Sequence, residues 1–229
     1  MPAAAIPERR QAADPDSLYA ARADVGKAAA AAAIWRDRIK QNANDFESSW
    51  KLARAVYWLG GHAAEAERKA LLEEGVAAGR AASQLEPPRP EGYFWMAANM
   101  GALAESFGMR QGLKYRGPIK EALLEVLALQ PEFQKGSADR ALGRWYHKVP
   151  GLFGGSQEKS EQHLRKSLTY DANSTASHFF LAETLVERGR KAAAREELQK
   201  VLDAPLDPEW TPEDREFKDK AKALLARLR

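Results

Sequence analysis

Apolar side chains recur at three- and four-residue intervals along most of the chain, the spacing of helices that bury one face rather than of strands. The clearest case lies between Ser174 and Pro205. Phe180, Leu181, Leu185 and Val186 share one helical face, and Ala194, Leu198, Val201 and Leu202 share a second. Gly189 between them suits the left-handed residue that closes a helix, and Pro205 stops the second run. The pattern predicts a helical hairpin.

The same arrangement recurs upstream. Trp50, Ala53, Arg54 and Tyr57 open a hairpin whose first helix ends at Gly60-Gly61 and whose partner is expected from about His62 to Leu85. Trp95, Ala98, Asn99 and Ala102 open another, closed by Gly108. Its partner is expected from Pro118, a favoured first helical residue, to Gln130, with Met109 to Gly117 as a connector. Leu142, Gly143 and Tyr146 mark a fourth. Together with His178, Leu181, Ala182, Leu185, Gly189, Ala194, Leu198 and Val201, these residues follow the tetratricopeptide pattern. The anchors Trp50, Trp95, Asp139 and His178 are 45, 44 and 39 residues apart. A standard unit is about 34. The excess is assigned to insertions in the turns between paired helices, including two extra turns between Ala63 and Leu72.

A helix from about Asp16 to Gln41 is expected to pack on the N-terminal end through Leu18, Val25, Ile34, Trp35 and Ile39, after a disordered tail over 1–15. After Pro205, Thr211 is placed to cap a last helix with the stripe Phe217, Ala221, Leu224 and Leu228. An open solenoid end would expose core, so such a cap is needed. The expected fold is therefore all-α: a tetratricopeptide-like helical-hairpin solenoid of about four hairpins with an N-terminal packing helix and a C-terminal capping helix. It forms a single domain over 16–229.

Composition narrows the function classes. The 35 basic and 32 acidic residues leave a net charge of +3, too small a field to point to nucleic acid. There is no cysteine, hence no disulfide, thiol nucleophile or zinc-thiolate site. No segment reaches transmembrane length. Phosphate-loop, dinucleotide and HExxH motifs are missing. His62, His147, His163 and His178 are scattered without metal spacing. Neither a catalytic site, a metal nor a cofactor is expected.

Binding chemistry is concentrated in two stripes. One to two residues off the packing positions, Trp58, Tyr93, Met96, Met100 and Leu103 would line an apolar, adaptable groove, or else be buried as core. Arg140, Arg144, His147 and Lys148 form one basic helical face. The two arginines are placed to hold a carboxylate, unless the face is solvated or Arg144 pairs with Glu183 or Glu187. Arg54 and Asn99 occupy positions usually held by small residues and need hydrogen bonds if buried. The Pro150–Gly155 loop is either a lid or a tight turn, and Trp145 and Tyr146 are expected between units. Ala55, Ala97, Ser137 and Ala141 stand where a heat-shock-chaperone tail clamp needs polar and basic side chains, which argues against that role.

The strings WKLARAVYWLG, RGPIKEALLEVLALQPEF and above all DRALGRWYHKVPGLFGG resemble the TRAP-transporter T-component (TatT) family over roughly residues 45–229. A fainter likeness joins the chain to regulators of microtubule dynamics, through Ile119-Lys120-Glu121, Leu129-Gln130-Pro131 and Leu142-Gly143-Arg144-Trp145. The T-component resemblance implies helical hairpins around a central cavity and an extracytoplasmic setting. It also implies association with a periplasmic solute-binding protein and a capacity to form a homotrimer. A cytoplasmic setting stays open, because no signal or lipid-anchoring cysteine stands in this sequence. Two functions follow: a scaffold that docks a protein partner, or a carrier of a hydrophobic or acidic small ligand.

Overall fold

The computed structural model describes residues 13–228, which hold eleven α-helices, one 3-10 turn and no strand. Two helices lead: α1 (Pro15–Ala20) and α2 (Val25–Gln41). Two hairpins follow, α3 (Phe46–His62) with α4 (Glu65–Leu85) and α5 (Pro90–Ser106) with α6 (Gly108–Leu129). Two more are α7 (Phe133–Lys148) with α8 (Gln157–Ser167) and α9 (Thr175–Glu187) with α10 (Lys191–Asp203). The last helix, α11 (Thr211–Arg227), closes the array. Each helix packs on its sequence neighbours, and α3, α5, α7, α9 and α11 also touch one another in succession. The odd-numbered helices therefore form an inner layer and α4, α6, α8 and α10 an outer one.

Close approach between hairpins depends on missing side chains. A Cβ at Gly92 of α5 would lie 2.4 Å from the Ser83 backbone nitrogen, and one at Gly79 of α4 2.7 Å from that of Met96. Beside them Asn99 is fully buried and donates to the carbonyls of Ala53 (3.0 Å) and Trp95 (2.7 Å), locking α5 to α3. Arg54, in the equivalent position of α3, instead lays its guanidinium over Tyr19 (4.2 Å) and Trp50 (4.9 Å). The apolar core falls into two clusters, one spanning Tyr19 to Tyr146 and one spanning Leu164 to Leu228. Between them runs a hydrogen-bonded polar seam: Asp139 with His163 at 2.7 Å, Ser160 with Thr184 at 2.8 Å, and Ser167 with Ser177 at 2.9 Å. Trp145 and Tyr146 pack edge to face within the first cluster.

Several expectations are corrected. The N-terminal helix breaks at residues 21–24, where Asp24 caps α2 by accepting from the amides of Gly26 and Lys27. Helix propensity gives no sign of that break. It serves Arg22, whose side chain reaches α11 and whose carbonyl accepts from the Trp58 indole at 2.8 Å; Val25, expected inside, is exposed. Of the expected tail, residues 1–12 lie outside the described residues, and α1 already begins at Pro15.

The excess length of the Trp50 and Trp95 hairpins lies in their second helices, not in the turns between paired helices: α4 has 21 residues, close to the His62–Leu85 span expected for it, and α6 has 22. The expected connector Met109–Gly117 is helical, and Pro118 lies inside α6. Gly108, at φ +77°, reverses the chain without a loop. Tyr115 and Ile119, four residues apart and both buried, carry the apolar face through the proline. Finally, Thr211 does not cap α11. Its hydroxyl bonds back to the Asp207 carbonyl, and Trp210 is the capping residue.

Gly189 is left-handed as the pattern requires, at φ +72°. The Pro150–Gly155 segment is a tight turn around a short 3-10 helix, closed by the amide of Gly155 on the Pro150 carbonyl. A less legible feature opens α7: Gln134, Lys135 and Gly136 take three successive left-handed conformations before the regular helix begins.

Candidate functional site: the concave inner face

The inner helices enclose a concave cavity of ≈ 1330 Å³. Its floor is made of small residues, Ala98, Gly101 and Ala102 of α5, Ala141 of α7 and Ala176 of α9. Its walls are aromatic: Tyr57, Trp58, Trp95, Phe179, Phe180 and Trp210. Helical periodicity explains both. The positions that the repeat pattern keeps small or aromatic on each first helix face inward, so successive hairpins align them. The mouth beside α6 carries Met109, 76% exposed, with Leu113 and Phe153.

The C-terminal segment crosses this face. Arg22 holds Glu213 through two hydrogen bonds and also donates to the Glu209 carbonyl at 2.6 Å. The imidazole of His62 lies 2.9 Å from the Glu216 carboxylate, and Lys135 pairs with Asp207. Polar contacts thus fasten α11 and the stretch of chain before it to the N-terminal end and to the start of α7.

The two arginines expected to act together behave differently. Arg144 binds Glu105 through Nε (3.0 Å) and Nη2 (2.8 Å), binds Glu183 at 2.5 Å, and lies 4.7 Å from the Phe180 ring. It is a structural bridge across α5, α7 and α9. Arg140, one turn earlier, lines the same cavity but makes no hydrogen bond or ion pair among the described residues. Burial pulls its guanidinium below the ordinary arginine range, only partly countered by the charges of Asp171 and Asp214. Tyr57 faces the cavity with its hydroxyl free of any hydrogen bond among the described residues. It is 40% exposed to solvent yet surrounded by protein, because it projects into the concavity, and this enclosure pushes its phenol up.

Other expected site residues are placed elsewhere. Trp58 is on the wall, with its indole already donating to Arg22. Met100 and Leu103 are at 1% and 0% exposure, in the core. Met96 meets Gly79 on the outer side of α5, and Tyr93 packs against the core. The inner face of α5 is the register Ala98, Gly101, Ala102 and Glu105, so an offset from the repeat positions points into the helix packing instead. His147 turns toward α8 and bonds Gln157 at 2.9 Å; burial lowers its pKa. Tyr57, Trp95 and Phe179 were missed as site residues. The first two are repeat-pattern positions, and that membership is the available signal.

Among the described residues no group of three or more His, Cys, Asp or Glu could hold a metal, and no helix is long and apolar enough to cross a membrane.

Stacked helical hairpins around a concave inner face define the class, a tetratricopeptide-like repeat protein. A thermophilic TPR protein of Thermus thermophilus, TTC0263, shares the fold at TM-score 0.69 and 21% identity, over 93% of this chain and 95% of that one. A structure of MamA aligns at TM-score 0.54 and 15% identity, over 92% and 99%. A second MamA structure aligns at 0.53 and 15%, over 83% and 89%. Residues 13–153, from α1 through the turn after α7, match the family described as regulator of microtubule dynamics protein 1-3, and the chain belongs to that family. Of the two resemblances read from the sequence, the match thus carries the fainter one. No curated protein matches the chain.

Proposed function

We propose that this protein is a non-catalytic scaffold whose concave inner face docks a segment of a partner protein. The observation that carries the reading is the cavity itself. At ≈ 1330 Å³ it exceeds the roughly 300–1,000 Å³ of small-molecule pockets. Its small-residue floor lets a peptide backbone come close, while the aromatic walls offer side-chain contacts. Association with a solute-binding subunit, implied by the T-component resemblance, would use this same face.

A carrier of a hydrophobic or acidic small molecule is the second reading, favoured by the C-terminal segment fastened across the cavity. A photo-cross-linking residue at Ala102 on the floor, compared with one at exposed Leu124 on α6, separates the two. Docking predicts that cross-links from position 102, and not from 124, join a defined peptide of one partner. Native mass spectrometry showing instead a tightly held small molecule, with no peptide cross-linked at 102, would replace docking by carriage. The same spectrum reads the oligomeric state, including the trimer the T-component resemblance implies.

A further inference from the structure

We infer that the inner face selects a partner segment carrying one acidic side chain, and that Arg140 is the group that receives it. The inference rests on the docking reading and specifies its ligand. Among the cations that line the cavity, Arg116, Arg140 and Lys148 make no side-chain hydrogen bond or ion pair among the described residues; Arg116, on the outer helix α6, lies over the Phe153 ring at the mouth, 5.0 Å from its centroid. Arg144 is bound to Glu105 and Glu183, Lys135 to Asp207, and His62 to Glu216. Lys148 has no partner among the described residues, but it is the last residue of α7, at the mouth. Arg140 alone sits between aromatic walls with neither hydrogen bond nor ion pair among the described residues. The nearby acids do not serve it: Asp214 accepts from the Thr175 hydroxyl at 2.5 Å and the Asp207 amide at 2.8 Å, and Asp171 accepts from the Asn173 amide at 3.0 Å.

Arg140 is partly exposed within the concavity, where the surrounding protein disfavours its charge, and a carboxylate entering the cavity would pair with it through charge-assisted hydrogen bonds. A second orphan is complementary. Gln134 lines the same cavity, and its side-chain oxygen is buried in this conformation with no donor among the described residues, so its amide would turn into the cavity to meet one. A peptide supplies what both groups need, a carboxylate for Arg140 and an N–H for Gln134. A fatty acid supplies only the first. The chemistry therefore favours an acidic peptide segment with apolar residues beside the acid, for the aromatic walls.

Random 16-residue peptides displayed on phage, selected against the purified protein and against Arg140→Gln, test the inference. The expected result is enrichment of Asp or Glu at one fixed position beside apolar residues. Synthetic versions should lose about 10- to 100-fold in affinity on Arg140→Gln, the range of one charge-assisted contact. Arg140→Lys should restore part of it, since the charge remains but the planar fork does not. Because Arg140 makes no internal bond, both variants should fold, with Arg140→Gln at an equal or higher Tm. Selected peptides that lack an acid, or bind Arg140→Gln as well as wild type, would overturn the Arg140 assignment and leave docking standing. If no peptide is selected, and cross-linking at position 102 also yields none, docking fails and the assignment falls with it.

Discussion

Arg22 and Glu213 lie 191 positions apart and meet in a forked pair, Nε to Oε1 at 2.8 Å and Nη2 to Oε2 at 2.6 Å. The guanidinium is stacked among Tyr19, Trp58 and Trp210, each within 5.6 Å. The two partners feel the pair unequally. Burial opposes the charge on Arg22, but Glu213 outweighs it; burial of Glu213 raises its carboxyl despite the pull of Arg22. Burial works against both charges, and the pair's contribution is positional: it ties the last helix to the N-terminal segment across the concave face.

Breaking one half should cost more than the pair contributes, because the other charge stays buried. Glu213→Ala is expected to lower stability by about 1–3 kcal/mol in urea unfolding. It should also free the C-terminal segment, seen as a larger radius of gyration in solution scattering. An unchanged radius would show that its packing on α9 and α10 and its contacts to His62 and Lys135 hold α11 without Glu213.

The glycines divide into two opposite predictions. Gly92→Ala drives a methyl to 2.4 Å from the Ser83 nitrogen and should destabilise by about 1–3 kcal/mol, beyond any gain in helix propensity. Gly112→Ala meets nothing within 4 Å and should stabilise by about 0.5–1 kcal/mol. Thermal unfolding of the two variants reads the difference in sign.

Gly101 also has open space beyond it, but that space is the cavity. Gly101→Leu should leave Tm within a few degrees of wild type while weakening peptide binding by tenfold or more, about 1.4 kcal/mol. Binding that survives this substitution would move the docking site off the inner face.

Acid should loosen the C-terminal half. Burial raises the Glu197 carboxyl, but His178 at 2.5 Å and Lys200 more than offset it, leaving the pKa lowered. Burial likewise opposes Glu161, and Arg165 and Arg190 bring it down. A carboxyl whose folded pKa lies below its unfolded one contributes fully above the unfolded value of about 4.3. That contribution is lost as pH falls through the lower folded value. Tm should hold between pH 7 and 5 and fall below pH 4, and Glu197→Gln should flatten part of the fall.

Local pattern was enough for the repeat architecture. The i, i+3, i+4 spacing of Phe180, Leu181, Leu185 and Val186, the left-handed Gly189 and the stop at Pro205 are properties of one turn of chain and its neighbours, and the helices form where they predict. The same locality explains Trp145 and Tyr146 between units. What the pattern could not give depends on partners far away in the chain. The break before α2 follows from Arg22 reaching Glu213, and α6 runs through Pro118 because Tyr115 and Ile119 are buried together. Arg140 and Arg144 stand on one helical face by sequence and differ only in whether Glu105 and Glu183 come within reach. Helical periodicity places side chains on a face; which charge on that face is left unpaired is decided by how the hairpins stack.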